Sequence, residues 1–279
     1  MNHWETEDSE LGRILHLSDE RTETAVALDL GIRVLGLSVL GKPNLFYRQP
    51  AEDSEFSTAD GWRLYGGHRL WTAPEGDWSY YPDNAPVLWR LRENGVSLGQ
   101  KDPWMGLEKK LELTFLPDGW IRADHGVVNV DRKPFRCGVW GISTLAPGGS
   151  MEVLLSPVEA EAYAPGRAFQ LWGETSLSDP RVRMEKDRLL LRHMPSDAFF
   201  KLGTYTARGE AVYRNYGQRF ICRFESGAGP YPDSGCNFEA FLSRSMMELE
   251  TLGGLCTLLP GEEQTHTEFW RVEPEEAKG

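Results

Sequence analysis

The chain has 279 residues, of which 40% are hydrophobic and 11% aromatic, a composition typical of a globular protein with a substantial buried core. Its 30 lysines and arginines against 42 aspartates and glutamates give a formal net charge of −12, and such a field argues against nucleic acid as a partner. No apolar run reaches membrane-spanning length, and the acidic first residues lack a signal-peptide pattern. We therefore expect a cytoplasmic protein with no membrane partner.

The four cysteines, Cys137, Cys222, Cys236 and Cys256, are widely spaced and form no Cys-x-x-Cys pair. Free buried thiols are the expectation, because neither a disulfide framework nor a zinc site has the required spacing. The sequence indicates no metal and no other cofactor.

The chain is predicted to be one domain over residues 12–273, between an acidic flexible tail at 1–11 and a flexible C-terminal tail at 274–279. From Gly12 to Arg48, short apolar segments alternate with Gly, Asp and Ser, which indicates strands and turns.

An aromatic segment follows, from Gly61 to Pro86, with paired glycines and three X-Pro steps that restrict the backbone. Its aromatic members are Trp62, Tyr65, Trp71, Trp78, Tyr80 and Tyr81. Its charged or titratable members include His68, Arg69, Glu75 and Asp83. Rings that stack on C–H faces, beside charged groups that bond hydroxyls, are typical of a sugar site. The alternative is that the rings belong to the core and Arg69 is a surface ion-pair partner.

Beyond this segment the pattern is that of strands. Leu107–Phe115 alternates, with leucines and a phenylalanine on one face and charges on the other, and turns lead into strands at Trp120–Val130 and Phe135–Leu145. Further short β-like runs are predicted at Met151–Leu155, Ala168–Trp172, Arg188–His193, Phe199–Thr206, Glu210–Tyr216 and Arg219–Glu225. Regularly spaced strands with 29 glycines and 17 prolines predict an all-β sandwich or barrel.

The segment Phe238–Leu252 is ambiguous. Its apolar residues fall at helical spacing, and Gly253-Gly254 would suit a helix C-cap, so periodicity slightly favours a helix. Read as a strand from Ser245, it would place Glu248 and Glu250 on one face, roughly 7 Å apart.

Four motifs in order resemble the galactose-mutarotase-like proteins. They are Tyr65-Gly-Gly-His-Arg-Leu-Trp-x-Ala-Pro-Glu, Trp140-Gly-Ile-Ser-Thr-x-x-Pro-Gly-Gly, Met247-Glu-Leu-Glu-Thr-Leu-Gly and Leu259-Pro-Gly-Glu-x-x-x-His-x-Glu-x-Trp. The resemblance spans about residues 12 to 273 and is closest to an uncharacterised branch. It implies a β-supersandwich of many antiparallel strands with a sugar site on a concave face, and a strand rather than a helix at 245–252.

The resemblance also implies roles for individual residues. In aldose 1-epimerases of this superfamily a glutamate removes the proton of the anomeric hydroxyl and a histidine protonates the ring oxygen. Glu250 matches the glutamate, and Arg69 is similar to an arginine that holds sugar hydroxyls. The family's histidine is missing from its strand, where Trp140-Gly-Ile-Ser-Thr stands, so His68 or His125 is the candidate substitute.

Three functions follow, all with a small-molecule sugar as partner and an undetermined oligomeric state. The first is a carbohydrate-binding protein with a site that includes Arg69, Trp71, Glu75, Asp83 and Glu248. The second is an aldose or sugar-phosphate 1-epimerase with Glu250 as base, whose pKa a neighbouring Glu248 would raise. The third is a glycoside hydrolase or lyase that uses Glu75 with Glu250.

Overall fold

Short alternating segments separated by glycine-containing turns give this chain two large antiparallel sheets. The computed structural model of the protein describes residues 1–158, 163, 165–173 and 175–275. The strands among them are, in chain order, β1 (Asn2–Asp8), β2 (Gly12–Ser18), β3 (Thr22–Ala27), β4 (Arg33–Val39), β5 (His68–Ala73), β6 (Leu88–Arg92), β7 (Gly95–Asp102), β8 (Leu107–Phe115), β9 (Ile121–Asn129), β10 (Phe135–Leu145), β11 (Ser150–Leu154), β12 (Phe169–Leu171), β13 (Val182–Met184), β14 (Arg188–Arg192), β15 (Phe200–Thr204), β16 (Glu210–Asn215), β17 (Gln218–Phe224), β18 (Phe238–Leu242), β19 (Met247–Leu252), β20 (Cys256–Leu258) and β21 (Glu263–Pro274).

The first sheet has the order β1-β2-β3-β4-β5-β10-β19-β18-β15-β12, and β20 pairs with the free end of β10. The second sheet has the order β13-β14-β11-β16-β17-β21-β9-β8-β7-β6. Adjacent strands in both sheets are antiparallel, and the large apolar core lies between the inward faces of the two sheets. The all-β supersandwich expected from the sequence is confirmed.

Strand β8 shows how the alternating pattern builds this core. Its leucines and Phe115 are buried on one face, as predicted, with intermediate exposure at the positions between them. Lys109 differs from the expectation because it shares the buried face. Its Nζ lies 3.2 Å from Asp102 Oδ2 on β7, and this pairing compensates part of the free energy lost when an ammonium group leaves water.

The segment Phe238–Leu252 forms the two strands β18 and β19, so the family resemblance was a better guide than periodicity. The chain reverses between them, where the Ser243 amide donates to the Met246 carbonyl at 3.0 Å. Every residue of β19 is buried, because one face meets the core and the other is covered by further side chains. A strand buried on both faces loses the alternation that identifies strands in a sequence.

The N-terminal residues form an edge strand instead of the expected flexible tail. Strand β1 pairs with β2 from Asn2–Ser18 to Asp8–Gly12, and Trp4 stacks on His16 with 4.9 Å between ring centroids. Main-chain pairing needs no apolar side chains, which is why an acidic sequence conceals such a strand. The expected C-terminal tail lies mostly outside the described residues, since β21 ends at Pro274 and residues 276–279 are not described.

Helical structure in the described residues is short. It comprises a 3₁₀ turn at Asp77–Tyr80 and a four-residue helical turn at Pro232–Gly235, in which Asp233 and Ser234 have positive φ. No helix in this part of the chain has the length and apolar character needed to cross a membrane.

Candidate functional site

The candidate site lies on the outer face of the first sheet, where β5, β10 and β19 run side by side. Because side chains alternate between the faces of a strand, every second residue of these strands points away from the core. The register places Ile142 of β10 opposite Arg69 on one side and opposite Glu250 on the other. Trp140 is placed opposite Trp71 in the same way. The sheet therefore presents charged and aromatic side chains in adjacent rows.

Other segments cover these rows and leave a hollow of about 120 Å³. That volume holds roughly ten water-sized groups, which is the scale of one sugar ring. The residues that line the hollow are Phe56, Trp62, Leu64, Arg69, Trp71, Glu75, Tyr80, Trp140, Ile142, Lys201, Phe241, Met246, Glu248 and Glu250.

Arg69 lies at one side of the hollow against an aromatic wall. Its guanidinium carbon is 4.4 Å from the ring centroid of Trp71, within the range of a cation–π contact. Nη2 donates to Glu248 Oε1 at 3.3 Å, and Thr144 Oγ1 donates to the same oxygen at 3.1 Å. Nε and Nη1 are buried and have no hydrogen-bond partner among the described residues. Two donors on a fixed guanidinium are therefore available to a ligand.

Lys201 of β15 lies at the other side and faces three carboxyl groups. Its Nζ is 3.0 Å from Glu239 Oε2, 3.3 Å from Glu250 Oε2 and 3.8 Å from Glu75 Oε2. The same ammonium group lies 4.9 Å from the ring centroid of Trp140. One ammonium group thus faces up to three negative charges at a largely buried position.

This excess of carboxyl groups over cations determines which side chains stay protonated. Burial raises the pKa of Glu250 to about 7, and the nearby Glu248 and Glu75 contribute, while Lys201 opposes the rise. Burial also raises the pKa of Glu239 well above its ordinary value. Burial disfavours the charged form of Lys201, but the three carboxylates outweigh it and raise the pKa of the ammonium group. The cluster consequently retains a proton on a carboxyl group near neutral pH.

Glu75 is held at the rim by the 3₁₀ turn. The Tyr80 hydroxyl donates a short hydrogen bond to Glu75 Oε1, and burial together with this bond raises the pKa of Tyr80. Lys201 Nζ lies within 4.0 Å of the carboxyl groups of both Glu75 and Glu250. The two catalytic carboxyls of a glycosidase flank the scissile oxygen, whereas here one lysine engages both groups, so this arrangement gives no support to the hydrolase alternative.

The hollow brings together five of the eight residues selected from the sequence, which are Arg69, Trp71, Glu75, Glu248 and Glu250. Asp83 lies elsewhere. Its Oδ1 accepts from Arg33 Nη2 at 2.7 Å, and Arg33 is fully buried, so this ion pair fixes the loop to the start of β4. The pKa of Asp83 is lowered by Arg33 and Lys109, which outweigh the effect of burial.

His68 of β5, on the inward face of the first sheet, and His125 of β9, in the second sheet, meet inside the core between the two sheets. His68 neighbours Arg69 in β5 and therefore points the other way. His125 Nδ1 donates to the His266 carbonyl at 3.0 Å, so its Nε2 accepts from His68 Nε2 at 2.7 Å, and His68 Nδ1 accepts from Ser143 Oγ at 2.8 Å. Both side chains are completely buried. Neither side chain reaches the hollow, so neither is placed to act as a catalytic acid there.

His68 and His125 form, with Glu268, a group whose ligand atoms lie within 4.8 Å of one another, close enough to consider a metal ion. The two facing ring nitrogens are already hydrogen-bonded to each other, and Glu268 accepts from Thr251 Oγ1 and Trp270 Nε1. The group is best described as a polar network between the sheets whose donors and acceptors satisfy one another.

Sequence reasoning missed Lys201 and Glu239. Each is the only charged residue of a short, otherwise apolar or small-residue strand, and Glu239 has no exposed surface. A lone charge in a buried strand is a usable signal, because it requires a partner from another strand. The pairing of β15 with β18 and of β18 with β19 brings the partners Glu239 and Glu250 to Lys201.

Comparison with known proteins places this arrangement in a structural context. The sequence matches no protein-family model and no curated protein. Among solved structures, it is similar to a TPR-domain containing protein from Parabacteroides distasonis, with a TM-score of 0.64 and 14% identity over 95% of this chain. The present chain spans about half of that protein, 48% of its length.

Two other similar structures match along all or nearly all of their length. A galactose mutarotase-like protein from Lactobacillus casei aligns with a TM-score of 0.60 and 10% identity, covering 93% of this chain and 100% of its own. A galactose mutarotase-like protein from Clostridium acetobutylicum aligns with a TM-score of 0.56 and 12% identity, covering 98% of each chain. The two antiparallel sheets and these likenesses show that the chain has the galactose-mutarotase-like fold, as the resemblance implied.

Proposed function

We propose that this protein binds a carbohydrate in the hollow on the outer face of the first sheet. The fold is that of proteins described as galactose mutarotase-like, which favours a sugar ligand. The lining favours it independently, since Trp71 and Trp140 offer ring surfaces while Arg69, Glu248 and Glu250 offer charged donors and acceptors.

The observation that carries the proposal is a set of buried polar atoms in this lining without protein partners. Arg69 Nε and Nη1, Glu250 Oε1 and Trp140 Nε1 have no hydrogen-bond partner among the described residues. A buried polar group left unpaired costs about 1–3 kcal/mol, so a core built for stability alone would not concentrate several of them in one place. Vicinal hydroxyl groups of a sugar are both donors and acceptors and would satisfy this set.

Isothermal titration calorimetry with a panel of free and phosphorylated aldoses tests the proposal. We expect one class of sugar to bind, and Arg69→Met to weaken that binding by about tenfold or more because charge-assisted hydrogen bonds are lost. Arg132→Met is the matched control, since Arg132 is exposed in the turn after β9. Equal affinity of wild type and Arg69→Met would remove Arg69 from the site.

Aldose 1-epimerase activity is a second candidate, favoured by the pKa of about 7 at Glu250. A carboxyl group poised near neutral pH suits removal of the anomeric proton. Opening of the ring also requires a proton donor for the ring oxygen, and no histidine is among the described residues of the hollow. Lys201 holds its proton tightly, because three carboxylates raise its pKa. Binding is therefore the better supported function.

Polarimetry of freshly dissolved α-anomers separates the two candidates. Catalysed mutarotation that Glu250→Gln removes, with sugar affinity retained, would establish the epimerase. Binding without any acceleration would identify a carbohydrate-binding protein that has the fold and lacks the reaction.

A further inference from the structure

A second concave surface lies on the outer face of the second sheet, away from the sugar hollow. It is a groove of about 1380 Å³ lined by seven arginines and four glutamates, and it also receives side chains from the turn between β2 and β3. The whole chain has a formal net charge of −12, so the groove is a local reversal of charge.

Strand register aligns part of these arginines into a row. Ser150 of β11 pairs with Arg192 of β14 on one side and with Arg214 of β16 on the other. Arg214 in turn pairs with Arg219 of β17. Adjacent strands are about 4.8 Å apart, so the three arginines form a row that spans four strands at right angles to the strand direction. Like charges directly opposite each other destabilise a sheet unless an anion compensates them.

The protein's own carboxylates compensate only part of this row. Arg214 Nη1 lies 3.4 Å from Glu152 Oε2, and Arg219 Nε donates to Glu273 Oε2 at 2.7 Å. Arg192, in contrast, has no carboxylate within 4.0 Å among the described residues, and it is exposed. One end of the row therefore presents an uncompensated guanidinium.

Arg181 is a second, independent indication of a ligand. It lines the groove but is only 3% exposed. Nε and Nη2 donate to Asp179 at 3.0 and 2.7 Å, whereas Nη1 is buried and has no hydrogen-bond partner among the described residues. The backbone amide of Arg192 donates to the Arg181 carbonyl at 2.8 Å, so the backbones of these two lining residues are adjacent.

We infer that this groove binds an anionic oligosaccharide whose rings carry carboxylate groups, that is, a uronate oligomer. Guanidinium groups bind carboxylates in a bidentate manner, and at about 4.8 Å per strand the arginines of the row are spaced by two strands and by one strand, lengths on the scale of two pyranose rings and of one. Aliphatic side chains such as Val182 and Leu190 lie between the charges and offer contacts to C–H faces. This site is separate from the sugar hollow and shares no lining residue with it.

Two other polyanions fit the groove less well. Nucleic acid is disfavoured because none of the described lining residues is aromatic, so bases would find no stacking partner. An acidic peptide is disfavoured because the row crosses the face of the sheet, where backbone groups are already paired between strands. A peptide would gain no main-chain hydrogen bonds there and would lose more conformational freedom than a chain of rigid rings.

Calorimetric titration with hexagalacturonate, its fully methyl-esterified form and hexaglutamate tests this inference. We expect hexagalacturonate to bind, and Arg192→Gln to weaken it by about tenfold, as for loss of a hydrogen bond to a charged group. Arg132→Gln, which removes an exposed arginine outside the groove, should bind as wild type does. Glu250→Gln should also leave this binding unchanged, which separates the groove from the sugar hollow.

Several outcomes would overturn the inference. Absence of hexagalacturonate binding, or binding that Arg192→Gln does not weaken, would exclude the arginine row as its site. Equal affinity for the methyl ester would show that the carboxylates take no part. Hexaglutamate binding as tightly as hexagalacturonate would mean that the groove recognises acidic peptides instead.

Discussion

Lys201 and Glu250 meet at one side of the hollow, with 3.3 Å between Nζ and Oε2. Their strands are separated in the sheet by β18, which supplies Glu239 to the same ammonium group at 3.0 Å. The contact joins Glu250, which the motifs identified, to Lys201, which they did not. Because both side chains are largely buried, the protonation of this pair affects stability as well as ligand binding.

The first prediction concerns the pH dependence contributed by Glu250. Its pKa rises from 4.5 to about 7 in the folded protein, a difference of about 2.5 pH units. Between these values the unfolded chain has released the proton that the folded protein still holds, so the free energy of unfolding falls as pH rises. The full contribution is about 3 kcal/mol, present below pH 4.5 and lost above pH 7.

Urea denaturation at pH 5 and pH 8 measures this contribution. Glutamine at position 250 does not titrate, so Glu250→Gln should gain stability relative to wild type as pH rises. A wild-type-to-variant difference that stays constant between the two pH values would contradict the raised pKa.

The second prediction concerns removal of the cation that pairs with Glu239 and Glu250. Lys201→Met should destabilise the protein by about 3–5 kcal/mol at pH 8, because Glu239 and Glu250 would lose their buried partner. The loss of stability should be smaller at pH 5, because protonated carboxyl groups carry no charge for the lysine to balance. Lys110→Met is the control, since Lys110 pairs with Glu263 at an exposed position and should contribute at most about 1 kcal/mol. Equal losses for the two variants in urea denaturation would contradict the structural role of Lys201.

The third prediction concerns the polar network between the sheets. Burial and the neighbouring His125 lower the pKa of His266 from 6.5 to about 3, so its neutral form is stabilising above pH 6.5 and this stability is lost as pH falls toward 3. Between pH 6.5 and pH 5 the loss is about 2 kcal/mol for one such group. His266→Gln should therefore lose less stability than wild type over this interval in urea denaturation. The control His3→Gln, at an exposed position, should follow wild type, and a His266→Gln curve parallel to wild type would refute the assignment.

The sequence predicted strands that are marked by alternation or by flanking turn residues. Leu107–Phe115, which alternates, and Phe135–Leu145, which follows a turn, were predicted with the bounds that β8 and β10 have, although nearly all of β10 is buried. Strand β19 was recognised through the motif alone, because burial on both faces removed its alternation.

The candidate site was predictable where a single segment carries its residues. Arg69 and Trp71 share one face of β5, as Glu248 and Glu250 share one face of β19. Lys201 is marked in the sequence only as a lone charge in a short strand, and its partners, which come from strands distant in the chain, could not be identified. The error at His68 was avoidable, since a residue adjacent to Arg69 in a strand cannot point into the same hollow.

Binding of a sugar in the hollow can be measured by ligand-observed NMR of an aldose panel in the presence of wild type, Arg69→Met and the control Arg132→Met. We expect wild type and the control to broaden the resonances of at least one aldose, and Arg69→Met to leave sharp lines. Broadening that persists with Arg69→Met, or no broadening of any aldose by wild type, would mean that the hollow is not a sugar site that depends on Arg69.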